Sequence, residues 1–531
     1  MLKTSSLRSV TWPLASFSAG GWILTLALTT GCWLSPRAEA SGPAHSARPG
    51  SGPASSIVGV ALPERKPNIV YILADDLGWG EVGTNGQEII QTPHIDRLAA
   101  EGMRFTQHYS GSPVCAPSRC VLMTSMHTGH SYVRGNKEMG GWGPNQPEGQ
   151  LPLPASTITL AERLKEHGYA TGAVGKWGLG GPGSTGHPCF QGFDFFYGLL
   201  CQRVAHNFYP THLWRNHDVD VLDGNRYFAA HQKISRAPST PEGYARYEGE
   251  VYAPDRMIEE AVGFIDRHAS EPFFLYFPSP VPHVALQVPE DSLEQYKTEL
   301  DEAPYLGNKG YLPHPQPRAA YAAMVTRFDR DIGLILQALE KHGVEQDTIV
   351  MFSSDNGPTY AGGADSDFFE SAGPYRGLKG TVYEGGLRVP MIVRWPGRVA
   401  AASESAHASA FQDVVPTMME LIDAEVPEDI DGISFAPTLT GEGEQRTHEH
   451  MYWEYPEADG QMALRAGRWK LVRRGLRKDA GTHELFDIDA DPGEKTDLSE
   501  QHPEVVARLK EIAKGLRTRS EHFPLAGLDQ D

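Results

Sequence analysis

Four apolar runs in this chain each end in polar residues, and no other feature limits the possible folds as much. Asn68-Ile69-Val70-Tyr71-Ile72-Leu73 leads to Asp75-Asp76-Leu77-Gly78. The stretch 170–174 runs into Gly175-Lys176-Trp177. Phe273-Phe274-Leu275-Tyr276-Phe277 is stopped by Pro278 and Pro280 and leads to His283. Thr348-Ile349-Val350-Met351-Phe352 ends in Ser353-Ser354-Asp355-Asn356-Gly357, and 391–394 is a fifth run. Short runs without alternation suit parallel strands buried on both faces. Helical patterns stand between them, at about 93–102, 156–167, 254–268 and 319–342. In the second of these, Ile158, Leu160, Ala161 and Leu164 form the apolar face and Gly168 is the stop. Strands alternating with helices predict an α/β fold with a large, mostly parallel sheet flanked by helices.

The chain has 531 residues. At about 150 residues per domain that is room for more than one unit. Gly441-Glu442-Gly443-Glu444 is linker-like, and short alternating strands follow at 451–455, 462–465, 469–472 and 484–486, then a helix at about 503–519. This predicts a catalytic domain over 66–440 and a smaller C-terminal α+β domain over 441–531 with an antiparallel sheet.

Lys3 and Arg8 precede 28 residues without a charge, and Ala38-Glu39-Ala40 is a small-x-small cleavage triplet. Residues 1–40 read as a secretory signal peptide, so the chain is expected to be exported to the periplasm or the extracellular space. A lipoprotein acylated at Cys32 ranks second, because Thr29 stands where a leucine is expected. Residues 41–65, rich in Ser, Gly, Pro and Ala, read as a flexible linker. The net charge is −20, and removing Lys3, Arg8, Arg37 and Glu39, a net of +2, leaves −22. That charge argues against a nucleic-acid partner, which needs a cationic footprint. No C-x-x-C pair exists, so a zinc ribbon or thioredoxin motif is not expected. Cys189 and Cys201 have two readings, a disulfide or two buried thiols.

In open α/β sheets ligands bind at the carboxyl ends of strands, so Asp75-Asp76, Lys176, His283 and Asp355-Asn356 predict one site. Turn residues are common at such places, but four coincidences favour a site. Asp75, Asp76, Asp355 and Asn356 offer only oxygen donors, which suits a hard divalent cation. Crowded carboxylates repel one another unless a cation lies between them. Ser112-Pro113-Val114-Cys115-Ala116-Pro117-Ser118-Arg119 leads into a further apolar stretch, so Cys115 is expected near the first turn of a helix, where backbone N–H groups favour an anion.

These motifs together resemble the sulfatase family, formylglycine-dependent, arylsulfatase-like members of the alkaline phosphatase superfamily. C-A-P-S-R at 115–119 resembles its C-x-P-S-R signature, and N-I-V-Y-I-L-A-D-D-L-G-W-G at 68–80 its first strand. G-K-W-G-L-G at 175–180, P-H at 282–283, S-S-D-N-G-P at 353–358 and G-L-K-G-T-V-Y-E-G-G-L-R-V-P at 377–390 resemble later blocks, in order. The resemblance implies an alkaline-phosphatase-like fold and hydrolysis of sulfate esters. It implies that a separate maturation enzyme converts Cys115 to formylglycine, whose hydrate attacks sulfur; the alcohol leaves, and sulfate is expelled as the aldehyde reforms. It implies calcium on Asp75, Asp76, Asp355 and Asn356. Arg119 and Lys176 would hold the diol and the sulfate, and His283 and Lys379 would contact sulfate and assist departure of the alcohol oxygen.

One position departs from the family pattern. The family has a histidine two residues after the lysine of the G-K-W block, thought to deprotonate the diol; this chain has Gly178. His187, His206 and Asp355 are the candidate replacements. His206, in an aromatic-flanked loop, is also a candidate substrate contact, beside its reading as a structural loop histidine. Tyr452-Trp453-Glu454-Tyr455 has two readings, a sugar-stacking rim or packing between the two domains. Export and the negative charge favour a sulfated carbohydrate end as substrate over a long polyanion. Activity on small aryl sulfates is expected beside it. Two rivals are a phosphatase or phosphodiesterase of the same superfamily and a non-catalytic sulfated-glycan-binding relative.

Overall fold

The computed structural model describes residues 66–530, apart from 141–147, 229–230, 237, 298–299, 301 and 480. The expected signal peptide, the linker and Cys32 lie outside the described residues. None of the described helices is long and apolar enough to cross a membrane.

A ten-stranded sheet carries the fold. Its central four strands, in spatial order, are Thr348–Ser354, Asn68–Ala74, Phe273–Pro278 and Ala170–Lys176, all mutually parallel. Phe195–Leu199 extends the parallel set beyond Ala170–Lys176. Met391–Arg394 runs antiparallel to Thr348–Ser354, and His212–Arg215 and Asp218–Val221 close the other edge antiparallel. The predicted mostly parallel sheet is therefore present, with antiparallel margins.

Every residue of Asn68–Ala74 is buried, and its side chains feed two cores by simple alternation. Val70, Ile72 and Ala74 face the core shared with the helices Ala253–His268 and Pro317–Lys341. Ile69, Tyr71 and Leu73 face the core shared with Cys115–Thr124, Leu160–Glu166 and Val414–Leu421. A strand covered by helices on both faces explains the unbroken apolar run.

The helix expected from residue 156 begins later. Thr159 accepts a hydrogen bond from the Glu162 N–H, Glu162 reaches back to the Thr159 N–H at 2.8 Å, and this capping box starts the helix at Leu160. Ile158 lies outside it and is exposed. The helix expected to run to about 519 likewise ends earlier, as Pro503–Gly515, and a short helix, Ala526–Asp529, follows it.

Asp329, on Pro317–Lys341, caps the helix Pro93–Glu101 by accepting the His94 and Ile95 N–H groups at 3.0 and 2.8 Å. Burial raises its carboxyl to about 7. The folded state therefore binds this proton more tightly than the unfolded chain. The stability it contributes is complete below the ordinary aspartate range and is lost as pH rises from about 4 to about 7. Melting temperatures from pH 4 to 8 should fall less steeply in Asp329→Asn than in the parent. The difference is bounded at about 1.4 kcal/mol per pH unit. Parallel curves would contradict this.

The strands Met451–Tyr455, Gln461–Ala466, Trp469–Arg474 and Thr482–Asp487 form a four-stranded antiparallel sheet. One face packs on Tyr109, Val382 and Leu387 beside the large sheet, and the other on the helix Pro503–Gly515. Tyr452-Trp453-Glu454-Tyr455 is fully buried. Glu454 accepts from Arg134 at 2.6 Å and from Arg517 at 2.9 Å. This stretch is packing and not a sugar rim. Cys189 and Cys201 are free thiols, so the disulfide reading fails.

Candidate active site

The four central strands are neighbours and parallel, so their carboxyl ends share one edge of the sheet. Asp75 and Asp76 follow the first, Asp355 and Asn356 follow Thr348–Ser354, Lys176 ends Ala170–Lys176, and His283 lies just past Phe273–Pro278. The site is a direct product of topology. Cys115 is the first residue of its helix and is buried. Its Sγ lies 3.3 Å from Asp75 Oδ1, 3.8 Å from Asp76 Oδ1 and 3.6 Å from Lys379 Nζ.

Glycines bring Lys379 in. The Lys379 N–H donates to Pro358 O at 3.0 Å and the Gly380 N–H to Pro113 O at 2.9 Å, tying its loop to the segments after Asn356 and before Cys115. A Cβ on Gly357 would lie 2.0 Å from Gly385 O, so these backbones pack without side chains between them.

Three cations and an imidazole, which burial and Lys379 lower to about 4, meet three carboxylates. Lys176 Nζ donates to Asp75 Oδ2 at 2.5 Å, and Lys379 Nζ to Asp76 Oδ2 at 2.8 Å. Arg119 donates to Asp355 Oδ2 through Nε at 3.1 Å and Nη2 at 2.8 Å, and its Nη1 donates to the Lys176 carbonyl. His283 Nε2 lies 3.5 Å from Asp76 Oδ2, while its Nδ1 meets the Val284 carbonyl. Burial alone would raise Asp75, but Lys176, His283, Arg119 and Lys379 outweigh it and hold its carboxyl below the usual range. Burial and the Asp75 charge push Asp355 upward. Burial, with Asp355 and Asp75, pushes the Cys115 thiol well up, so the unmodified side chain is no thiolate nucleophile.

The donor set fits a hard cation. Asp75, Asp76, Asp355 and Asn356 are all fully buried. Asn356 Nδ2 donates to Asp76 Oδ1 at 2.8 Å, yet Asn356 Oδ1 is buried without a partner, an acceptor left for an ion. Asp75, Asp76, Cys115 and His283 also bring ligand atoms within 4.8 Å of one another. Set among mostly oxygen donors, this does not match the several histidines of a two-zinc phosphatase centre.

The residues predicted for the metal come together with Cys115, Arg119, Lys176, His283 and Lys379. His206 joins them: it stacks on His283 with ring centres 4.3 Å apart and 8° between planes. His187 does not, because its Nδ1 accepts from the Cys189 N–H and its Nε2 meets the Asn216 carbonyl in the turn between His212–Arg215 and Asp218–Val221. At Gly178 a Cβ would lie 2.2 Å from Gln202 Nε2, so the glutamine amide fills the space a side chain there would need. Neither polar atom of the Gln202 side chain has a partner among the described residues. Gln202, Tyr311 and His231 carry no signal in the sequence, because each comes from an irregular loop.

A family model for sulfatases matches residues 67–424, and one for the C-terminal region of N-sulphoglucosamine sulphohydrolase matches 378–519. The chain belongs to the sulfatase family. It is a sulfuric ester hydrolase by that membership. It is 31% identical to an N-acetylgalactosamine-6-O-sulfatase of Bacteroides thetaiotaomicron, over 86% of this chain and 94% of that protein. It is 31% identical to arylsulfatase A of Bos taurus, over 87% of this chain and 89% of the relative. Among solved structures, Ps i-CgsB in complex with k-i-k-neocarrahexaose superposes with a TM-score of 0.68 at 28% identity, covering 85% of this chain and 93% of that one. The second family model begins inside the glycine loop of Lys379, so the C-terminal region of this sulfatase shares that loop with the catalytic part.

Proposed function

We propose that this sulfatase removes sulfate from the ends of sulfated carbohydrates, using formylglycine made from Cys115 and a calcium ion. The observation that carries the reading is Cys115 at a helix start, within 3.3 Å of Asp75 and 3.6 Å of Lys379. Relatives named for N-acetylgalactosamine-6-sulfate support a carbohydrate substrate. A formylglycine-generating maturation enzyme is the partner this requires, and export as the signal-like N-terminus suggests is the setting. Small aryl sulfates are accepted beside the sugar.

Calcium held by Asp75, Asp76, Asp355 and Asn356 would supply positive charge at the sulfate and activate the residue-115 oxygen. The chain's own groups do the rest. Arg119, tied to Asp355 and the Lys176 carbonyl, fixes the carboxylates from behind. Lys176 and Lys379 place two ammonium groups beside residue 115, where charge grows on the equatorial sulfate oxygens. His283, oriented by its Nδ1 contact with the Val284 carbonyl, directs Nε2 toward the site, where it contacts the sulfate and assists departure of the alcohol oxygen. His206 backs the His283 ring and contacts the substrate. Gln202 stands where Gly178 leaves room and offers a hydrogen bond without a titratable proton.

The test is a panel of N-acetylgalactosamine 6-sulfate, other sulfated monosaccharides, 4-nitrophenyl sulfate and 4-nitrophenyl phosphate. The expected result is sulfate release from a sulfated sugar with the highest kcat/KM. Faster phosphate release would overturn the reading.

A further inference from the structure

Four rings form a corner that runs from the ion site to the surface. His283 and His206 stack face to face, and His231 and Tyr311 make a second pair at 4.5 Å and 4°. The two pairs meet edge to face. Tyr311 lies 5.5 Å from His206 and 6.0 Å from His283, and His231 lies 5.4 Å from His206. Exposure rises along the series, from 2% at His283 and 8% at His206 to half-buried Tyr311 and exposed His231.

Two loops fix the outer pair. Backbone bonds between Tyr305 and His314, at 2.9 and 3.0 Å, close the loop that carries Tyr311. The Ile234 N–H donates to Gly307 O at 2.9 Å and joins the His231 segment to it. Tyr311 has a φ of 64°, a left-handed backbone uncommon for a bulky residue. Such conformations cluster where a side chain must be aimed. The Tyr311 phenol feels Lys379, Asp76, Cys115 and Asp75, so it stands on the reacting side of the corner; burial, the largest influence, raises it to about 12. His206 Nδ1 is buried and has no partner, a polar atom left for a ligand.

We propose that Tyr311 and His231 form the wall of the subsite for the sugar ring that carries the sulfate. This rests on the carbohydrate reading above and names the residues that recognise the ring. Sulfate sits at the ion end, and the ring's apolar face lies along the outer pair. The two rings stack parallel, so the pair offers a pyranose one flat outer ring face, and one polar edge, the Tyr311 hydroxyl, is left to fix its orientation. The neutral rings add no charge that would hold a free anion, so this wall recognises the ring and not the sulfate.

The experiment uses full-length protein with calcium and the Cys115→Ala background, so that ligand is not consumed. Calorimetry measures the Kd of N-acetylgalactosamine 6-sulfate and, separately, of inorganic sulfate, before and after adding His231→Ala or Tyr311→Ala. The sugar Kd should rise about five- to tenfold with each substitution, with the sulfate Kd within about twofold. His231 is exposed, so its variant carries the test even where Tyr311→Ala fails to fold. An unchanged sugar Kd in His231→Ala overturns the proposal, as does an equal rise for both ligands. No sugar binding in the Cys115→Ala background overturns it too. Absence of turnover in the parent, with these Kd differences intact, overturns only the hydrolytic reading and leaves the subsite.

Discussion

Cys115→Ala should abolish sulfate ester hydrolysis, by a factor on the order of 10⁴ or more, with the fold retained. The alanine removes the only side chain from which the nucleophile can be made. Residue 115 is the first of its helix, and the rest of that helix packs through Ala116, Cys120, Val121, Leu122 and Met123. Losing one sulfur there costs about 1 kcal/mol of packing. Circular dichroism and the melting temperature should therefore stay near the parent while sulfate release vanishes. Retained activity would place the nucleophile elsewhere.

Calcium should raise the melting temperature of the parent protein, and Asp355→Asn should lose both that response and most of the activity, by about 10²-fold or more. The stabilisation at a hundredfold excess over Kd is about 2.7 kcal/mol. Asp355 ties Arg119 to the Asp75-Asp76 turn, accepting from Arg119 at 2.8 Å and from the Asp76 N–H at 3.1 Å. Asparagine keeps an oxygen for Arg119 but removes a negative charge from the ion site. Asp355→Ala is the harsher variant, because it leaves Arg119 buried without its closest carboxylate, a change that costs about 3–5 kcal/mol. A calcium response that survives in Asp355→Asn would remove Asp355 from the ligand set.

Much of this was legible because the strands are buried on both faces. An apolar run with no polar face cannot hide a charged residue in its interior, so Asp75, Asp76, Lys176 and Asp355 stand out where the runs stop. Topology then did the rest, because four neighbouring parallel strands put those ends on one edge. Cys115 was legible for a different reason: proline and small residues before an apolar stretch mark a helix start.

The loops were not legible. His206 was read as either a contact or a loop histidine, and only its 4.3 Å stack on His283 brings it to the site. Tyr311 and His231 sit in irregular segments with no period to place them. Gln202 fills the space beside Gly178 from 24 positions along the chain, which spacing alone does not reveal. Ile158 misled because its position fits a helical face, whereas the Thr159–Glu162 capping box starts the helix after it. Glu454 looked polar enough for a rim, but Arg134 and Arg517 neutralise it inside the fold.

The central claim is that residue 115 acts as formylglycine. Peptide mass spectrometry tests it on protein made in a host that carries the maturation enzyme. Cleavage after Arg104 and Arg119 releases residues 105–119. That peptide should be lighter than its cysteine form by about 18 Da, with sulfatase activity rising in step with the converted fraction. A peptide that stays a thiol in fully active protein would contradict the account.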